Sequence, residues 1–475
     1  MIALLIGLAV AAPPNLVLIS VDGLRADRLG LPGLGPTPNL DRLAAEGLSC
    51  SLSFSQSNES LFSHAAMLTG RHVSEIARPD YQRFVVPETA LQVPEVLALY
   101  GYTTAAFVAG GHVKGSYGFA QGFGRYEDED DFGSFFHTVP RALRWLDSTP
   151  PSPFFLFLHG YDTHRPYQHA GLFFHVYDRD YPGQIDQLSD RAGVERIFRG
   201  VYYADFPVSY FWHGAAEENI LDPTGYARLE AWAADHPGTP VTAADLHHLH
   251  AHYDSGALAA DLHVGLFLDA LKDRGLWENT LVLVTADHGE DLGDHGLFNH
   301  RSALFDSATR VPLILAGGAL PKLRQGAAIE GLCSALDVAP TLYAAAGARP
   351  PAGLTGRDLL GDGPPPAVVI QEGVLPMMAV RSATHRLVVN GLPLDSPLLP
   401  LMVRAAPIEA PTFQLFDLRA DPGEQTDVLS AQPAVALQLR QSLLDFLASR
   451  EAATHQGVQP LDPAFRALLQ SRGYW

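Results

Sequence analysis

The chain has 475 residues, of which 47% are apolar and 18% are charged, a balance typical of a packed globular protein rather than a disordered one. Its formal net charge is −20 at pH 7, which excludes the clustered basic surface that nucleic-acid binding requires and means that any anion site must carry its own local positive charge. Two cysteines, Cys50 and Cys333, exclude a disulfide-rich scaffold and a paired-cysteine zinc site, and the sequence leaves open whether they pair.

The first residues form an apolar stretch that ends in Ala9-Val10-Ala11. This ending has the form of a signal-peptidase site, and the stretch is too short to span a bilayer. It lacks the Lys or Arg that usually opens a signal peptide, so an early start codon before a first buried strand is the alternative. We interpret residues 1–12 as a candidate signal peptide and expect a periplasmic or secreted protein without a stable membrane span.

Continuous apolar runs alternate with helical patterns along the next part of the chain. The runs fit strands that are buried on both faces, and they are Asn15–Val21, Thr104–Val108, Phe154–His159, Thr280–Ala286 and Val311–Ala316. The helical patterns are Pro38–Gly47 with Gly47 as the stop, Ala243–Lys272, and Asp337–Ala346 with Asp337 as the N-cap. The alternation predicts an α/β fold with a doubly wound, mainly parallel sheet.

Composition divides the chain into a large and a small unit. Residues 13–360 form the large α/β unit, and within it residues 168–240 are rich in aromatic side chains and weakly periodic. This segment is either an insertion that walls a substrate pocket or a surface excursion with its own small core. A Pro/Gly stretch at 361–366 marks a boundary. Residues 361–475 are predicted to form a small α+β domain with strands near Met378–Val380, Arg386–Asn390 and Gln414–Leu418 and a helix near Pro433–Ser449.

Acidic residues follow two of the buried runs. Asp22 comes after the first run, and Asp287-His288 comes after the run that begins at Thr280. Because the carboxyl ends of parallel strands meet at one edge of a sheet, these three side chains are predicted to form a metal site there. The alternative for each is structural, since a capping Asp or a turn before a helix is common.

Two further segments carry candidate chemistry. Ser60 and Ser63 precede or open a short helix that Gly70 closes, so either is an N-cap or a nucleophile at a helix N-terminus, where an anion is favoured. His159 and His164 with the neighbouring Arg165 follow another buried strand and could protonate a leaving group and hold an anion.

The long helix that begins at Ala243 carries four histidines. His248 and His252 stand four residues apart on it, which is a spacing that can bind a metal. The other two are His247 and His250. Without a third ligand nearby, we expect this histidine-rich side to be a solvated helix face.

In their order along the chain, several blocks resemble the sulfatases of the alkaline phosphatase superfamily. The blocks are Asp22–Asp27, Thr37–Gly47, Leu68–Arg71, His159–Tyr167, Asp287–Glu290, Arg310–Ile314, Asp337–Leu342 and Leu415–Glu424. The resemblance implies a single divalent ion held by Asp22, Asp287 and His288, with Ca²⁺ favoured by hard oxygen ligands and Mg²⁺, Mn²⁺ or Zn²⁺ left open. The family often has a second acid or amide at the position of Gly23, so this site has one ligand fewer.

The same resemblance implies roles for other residues. The catalytic residues would be Ser60, His164 and His300. The residues that contact the substrate anion would be His64, Lys114, His159 and Arg301, with His112 as a further candidate. The substrate would be a small-molecule or carbohydrate sulfate or phosphate ester, and the oligomeric state is not indicated by the sequence.

The nucleophile motif departs from the family pattern. Sulfatases carry Cys-x-Pro-Ser-Arg, sometimes with Ser first, and the first residue is oxidised to formylglycine. Here the segment is Ser60-Leu61-Phe62-Ser63-His64, so Phe62 replaces the proline and His64 replaces the arginine, which puts formylglycine at Ser60 in doubt.

Three functions are therefore open. The favoured one is hydrolysis of sulfate esters by a sulfuric ester hydrolase. The altered motif favours a phosphate or phosphonate ester hydrolase or transferase that uses unmodified Ser60 directly. The missing acid at Gly23 favours a catalytically inactive binding protein.

Overall fold

The computed structural model describes residues 12–455 except 34, 77–83, 131, 149–152, 166, 168, 170–172, 174–175, 182–242, 297, 302, 374–376 and 391–412. Its centre is an eight-stranded sheet with the strand order β11-β2-β10-β7-β1-β6-β4-β5. These strands are β1 (Asn15–Val21), β2 (Leu48–Ser49), β4 (Thr103–Phe107), β5 (Arg125–Glu127), β6 (Phe154–Gly160), β7 (Thr280–Thr285), β10 (Leu313–Ala316) and β11 (Ala327–Ala328). Four shorter strands stand outside it in two pairs: β3 (Ser53–Phe54) pairs with β12 (Cys333–Ser334), and β8 (Asp291–Leu292) pairs with β9 (Phe298–Asn299).

The middle of the sheet is parallel. Strand β1 pairs with β6 on one side and with β7 on the other, both in parallel register. In this register Ser20 lies opposite His159 and opposite Thr285, so the three strands end at the same edge. Strand β10 runs antiparallel to β7. The predicted doubly wound, mainly parallel sheet is confirmed.

Side chains of β1 alternate between two apolar cores. Leu16 and Leu18 pack in one core, and Val17, Ile19 and Val21 pack in the other. The first core takes most of its helical side chains from α2 (Ser60–Thr69), α4 (Val93–Leu99) and α8 (Val338–Ala345). The second core takes them from α1 (Pro38–Glu46), α5 (Phe135–Asp147) and α6 (Ala243–Asp273). The remaining short helices of the described part are α3 (Val73–Ile76) and α7 (Asp306–Thr309).

A second sheet follows the main domain. Its antiparallel strands are β13 (Val368–Glu372), β14 (Met377–Ser382), β15 (His385–Asn390) and β16 (Phe413–Asp417), and α9 (Pro433–His455) packs against it. The sheet and the helix confirm the small α+β domain, although β13 was not anticipated. Its residues alternate between buried and half-buried only partly, which weakens the period-two signal.

One local expectation held only in part and another was wrong. Asp337 occupies the N-cap position of α8 as predicted, but its side chain makes no capping hydrogen bond to that helix; its Oδ2 instead accepts a 2.9 Å hydrogen bond from the amide of Ser334, at the start of the 3₁₀ turn that precedes α8. His248 and His252 are buried rather than solvated, and their Nε2 atoms lie 2.7 Å apart. Asp178 lies 3.0 Å from Nδ1 of His248, so another segment of the same chain covers this side of α6.

Cys50 and Cys333 form a disulfide that ties the end of β2 to β12, which settles the question of pairing. None of the described helices is long and apolar enough to cross a membrane. The aromatic segment at 168–240 and the candidate signal peptide lie almost wholly outside the described residues.

Candidate active site

Three side chains that could hold a metal ion meet at the carboxyl edge of the central strands. Asp22 follows β1, and Asp287 and His288 follow β7, which is hydrogen-bonded to β1. One ligand atom from each of the three lies within 4.8 Å of the other two, and all three residues are buried. The strand register therefore produces the cluster that the spacing in the sequence predicted.

Some polar atoms of the triad form hydrogen bonds with the backbone, and the remaining oxygen and nitrogen atoms lie close to one another. Oδ1 of Asp287 accepts hydrogen bonds from the amides of Gly23 (3.1 Å) and His288 (2.9 Å). Nδ1 of His288 donates to the carbonyl of Gly289 at 2.8 Å, so its Nε2 carries the lone pair. Among the described residues, Asp22 Oδ1 and Asp287 Oδ2 accept no hydrogen bond.

The charges of the triad also favour binding of a cation. Burial and the neighbouring Asp287 raise the pKa of Asp22 well above its ordinary value. Burial would raise the pKa of Asp287 too, but His288, His64 and His159 lower it overall. Two buried carboxyl groups with unsatisfied oxygens cannot both ionise at low cost unless a cation lies between them. Carboxylate oxygens with one imidazole suit a divalent metal ion.

Ser60 lies beside the triad as the first residue of α2, a helix whose ten residues are all buried. Its Oγ donates to Asp22 Oδ2 at 3.0 Å and lies 3.1 Å from Nε2 of His288. The helix N-terminus adds free amide groups and a positive dipole end, which favour an anion at this place. Ser63, the other candidate, donates instead to the carbonyl of Ser57 at 2.9 Å.

His64 and His159 lie beneath the triad. Nδ1 of His64 donates to the carbonyl of Ser60 at 2.8 Å, and its Nε2 lies 2.9 Å from Oγ of Ser20. Both of its ring nitrogens are engaged by the protein, which favours a role in positioning Ser60 over contact with a substrate. Nε2 of His159 lies 3.4 Å from Asp22 Oδ2. Burial lowers the pKa of both histidines.

His164 and His300 border the other side of the triad. The ring of His300 stacks on that of His288 with centroids 3.9 Å apart, and the ring of His164 lies 5.2 Å from that of His300. Nδ1 of His164 donates to the carbonyl of Arg165 at 2.6 Å, which leaves the lone pair on Nε2. Nδ1 of His300 lies 3.2 Å from Glu290 Oε2. Burial lowers the pKa of both histidines well below the usual range.

Arg301 and His112 reach the site through a shared carboxylate. Glu59, the residue before Ser60, forms an ion pair with Nε of Arg301 and lies 2.9 Å from Nδ1 of His112. Lys114 follows the same 3₁₀ turn as His112 and is half-buried. The substrate-binding roles of Arg301, Lys114, His64 and His159 stay predictions.

Backbone geometry explains why a glycine, Gly23, stands where the family often has a second acid. Gly23 has φ +74°, a left-handed conformation that side chains rarely adopt, and this conformation directs its amide at Asp287. A Cβ at this position would lie 3.6 Å from Glu290 Oε2. Glu290 therefore approaches the space that a second acid would enter, although it is not one of the three clustered ligands.

Two residues of the site were missed from the sequence. Glu59 and Glu290 are buried; Glu59 directly precedes Ser60, and Glu290 ends the recognised block Asp287–Glu290 but was given no role. Burial raises the pKa of Glu290 to about 8, against the effect of Arg165 and of the Tyr167 hydroxyl. The available signal was an acid next to Ser60 and an acid after Asp287-His288-Gly289, but such residues are also common at exposed helix starts and turns.

Comparison with known proteins agrees with this geometry. The family model described as Sulfatase matches residues 14–348. The chain belongs to the sulfatase family. Its relatives include bovine arylsulfatase A, 27% identical over 99% of this chain and 95% of that protein. The multifunctional alkaline phosphatase superfamily protein PehA of Trinickia caryophylli is 25% identical over 73% of this chain and 76% of its own length.

Other relatives are matched over a smaller part of their length. Arylsulfatase K of Xenopus laevis is 27% identical over 43% of this sulfatase-family chain, and the match spans 38% of that protein.

Among solved structures, BT4656 in complex with its substrate D-glucosamine-2-N,6-O-disulfate has a TM-score of 0.66 at 19% identity and covers 92% of this chain and 98% of that one. The phosphonate monoester hydrolase of Agrobacterium radiobacter has a TM-score of 0.63 at 20% identity, over 92% and 96% of the two chains. At these identities the structures share the fold.

Proposed function

We propose that this chain hydrolyses sulfate esters, with Ser60 or its oxidised form as the attacking residue. The observation that carries the proposal is the position of Ser60 Oγ, which lies 3.0 Å from Asp22 and 3.1 Å from His288. The attacking atom thus adjoins two members of the metal-binding triad at a helix N-terminus. That arrangement activates a nucleophile and binds an anionic head group in one place.

A divalent ion, which we propose to be Ca²⁺, would be held by Asp22, Asp287 and His288. The fit is chemical: two unsatisfied carboxylate oxygens and one imidazole lone pair converge there. Oxygen ligands favour Ca²⁺ or Mg²⁺, whereas the imidazole also suits Mn²⁺ or Zn²⁺. A bound ion would supply Lewis-acid stabilisation of the ester's head group and a lower pKa for the nucleophile.

The remaining residues handle protons and position groups. Oδ2 of Asp22 accepts the hydrogen bond of the Ser60 hydroxyl and can take its proton as Ser60 Oγ bonds to sulfur. The bond from sulfur to the ester oxygen breaks in the same step, and the alcohol or phenol leaves with a proton from water. His164 and His300 are neutral because burial lowers their pKa. Nε2 of His164 can therefore act first as a base toward water when the substituted serine is hydrolysed. A role for either histidine as the acid requires its pKa to rise when an anionic head group binds beside it.

The second candidate function is hydrolysis of phosphate or phosphonate esters by unmodified Ser60. The Phe62 and His64 replacements in the nucleophile motif favour it, because the hydroxyl needs no oxidation to attack phosphorus. The relatives include both arylsulfatases and a structure of a phosphonate monoester hydrolase. A small-molecule or carbohydrate ester is the proposed substrate in either case.

We also propose that the chain is exported to the periplasm or secreted. The apolar N-terminal stretch that ends in Ala9-Val10-Ala11 supports export. The disulfide between Cys50 and Cys333 supports it as well, because disulfides persist in oxidising compartments. Free thiols at both positions in protein from the native host would remove the second support.

The deciding experiment combines mass spectrometry with a matched pair of variants. The Ser60 peptide from natively expressed protein is weighed, and a mass lower by two hydrogens identifies formylglycine. Ser60→Ala is expected to lower kcat/KM for aryl sulfates by about 10³-fold or more, whereas Ser63→Ala on the same helix keeps most of it.

Each other outcome assigns a different function. Unmodified Ser60 with faster turnover of phosphonate than of sulfate esters would establish the second candidate. Metal binding without turnover of any of these esters would indicate an inactive binding protein. Full activity of Ser60→Ala would remove Ser60 from both mechanisms.

A further inference from the structure

Glu59 is a buried acid at the start of the nucleophile helix. It occupies the N-cap position of α2, yet its side chain makes no capping hydrogen bond there. Its carboxylate instead pairs with the Arg301 guanidinium, lies 2.9 Å from Nδ1 of His112, and has Oε2 3.8 Å from Nε2 of His300. A carboxylate thus pairs with groups that were predicted to bind the substrate anion, although a cation without such a partner would bind an anion more strongly.

The charge of Glu59 is retained in this position. Burial would raise its pKa, but Arg301 and His112 lower the pKa to about 2 overall. The effect of this charge extends to the triad: burial and Asp287 account for most of the rise in the pKa of Asp22, and Glu59 adds to it. The carboxylate therefore acts on the place where the substrate's head group would lie, beside Asp22 and Ser60.

We propose that Glu59 makes this site select ester head groups with one negative charge over those with two. The proposal rests on the function assigned above to the same site. Sulfate monoesters, phosphonate monoesters and phosphate diesters carry one negative charge. Phosphate monoesters carry two above a second pKa of about 6.

Coulomb's law gives the reason. A fixed negative charge repels a dianion twice as strongly as a monoanion at the same distance, and the effect is large where water is excluded. Glu59 also partly neutralises Arg301, the guanidinium that would otherwise offer a full positive charge to a dianion. Both effects penalise the second charge of a phosphate monoester more than the single charge of a sulfate ester.

Glu59 must also hold Arg301 in place, and this role has to be separated from charge selection. Loss of positioning would lower the rates for all substrates by similar factors. Loss of the charge would change the ratio between dianionic and monoanionic substrates. Glu59→Gln removes the charge with little change of shape, and Glu59→Asp keeps the charge but shortens the side chain, so the two variants form a matched pair.

The test measures kcat/KM at pH 8 in the presence of Ca²⁺ for 4-nitrophenyl sulfate, 4-nitrophenyl phenylphosphonate and 4-nitrophenyl phosphate. Glu59→Gln is expected to raise the ratio of phosphate to phosphonate turnover by about tenfold or more, which corresponds to about 1.4 kcal/mol. Glu59→Asp should keep the wild-type ratio even if all of its rates fall. Equal changes for the three substrates in Glu59→Gln would overturn the proposal and leave Glu59 as a positioning residue.

A binding measurement separates this proposal from the function on which it rests. In a Ser60→Ala background, calorimetry compares methyl sulfate, a monoanion, with inorganic sulfate, a dianion. Adding Glu59→Gln should shift the affinity ratio toward inorganic sulfate by about tenfold. Absence of turnover in the wild type together with this shift would reject the proposed hydrolase and keep the charge selection. An unchanged ratio would reject the charge selection itself.

Discussion

Two buried groups of carboxylates in this molecule differ in what balances their charge. In the contact between the two domains, Asp306 pairs with the guanidinium groups of Arg381 and Arg386, and Arg386 also lies 3.2 Å from Glu424. Although burial opposes it, these arginines lower the pKa of Asp306. In the triad the only nearby basic side chains in the described residues are histidines, and two carboxylate oxygens accept no hydrogen bond.

The difference separates a structural site from a ligand site. The charge of Asp306 is balanced by arginines of the chain itself, and its ion pairs join the two domains. Carboxylates that converge on each other without a protein cation are costly by themselves, and the cost is offset only when a cation binds. Burial alone would not have distinguished the two groups, since Asp22, Asp287 and Arg386 are all buried.

The largest expected effect comes from removing one carboxylate of the triad. Asp22→Asn should lower kcat/KM by about 10³-fold or more, because it removes a proposed metal ligand. In the metal-free state this variant should unfold at the same or a higher temperature than wild type, because burial and Asp287 raise the pKa of Asp22 and its charge is not balanced. Asp306→Asn is the control and should lose stability while keeping the activity per folded molecule. Loss of stability in metal-free Asp22→Asn would place the triad in the same class as the arginine group.

A smaller effect is expected from the arginine group. Arg386→Met leaves the half-buried Asp306 and the buried Glu424 without their shared guanidinium, and breaking a buried pair in this way costs about 3–5 kcal/mol. Urea unfolding measures this loss. The control is Arg324→Met, whose partner Asp362 is 98% exposed, and surface pairs contribute about 0–1 kcal/mol. Similar losses in the free energy of unfolding of both variants would mean that the interdomain arginines stabilise the fold no more than a surface pair does.

The same contrast explains which parts of the site the sequence could predict. Asp22, Asp287 and His288 were predictable because each follows a buried apolar strand, and parallel strands bring such positions to one edge. The contact of Glu59 with Arg301 was not predictable, because it joins two loops distant in the chain with no periodic pattern. The burial of His248 and His252 was missed for a related reason: spacing along a helix does not show what chain packs over it.

The smallest expected effect, per unit of pH, concerns an acid that belongs to neither the interdomain arginine group nor the triad. Asp291 is buried, its Oδ1 accepts from the Ser307 hydroxyl, and burial raises its pKa to about 8. An acid with a raised folded-state pKa stabilises the fold fully below its unfolded value, and this contribution is lost as the pH rises toward about 8. Wild type should therefore lose up to about 1.4 kcal/mol per pH unit more than Asp291→Asn between pH 5 and 8.

Urea unfolding at several pH values across this window tests that slope. Asp269→Asn, which changes a side chain that is 59% exposed, should follow the wild type. A wild-type slope that Asp291→Asn leaves unchanged would mean that Asp291 is ionised in the folded state and finds a cation after all. Asp291 would then belong with one of the two charged groups. Buried acids without a neighbouring cation would no longer form a third class beside those groups.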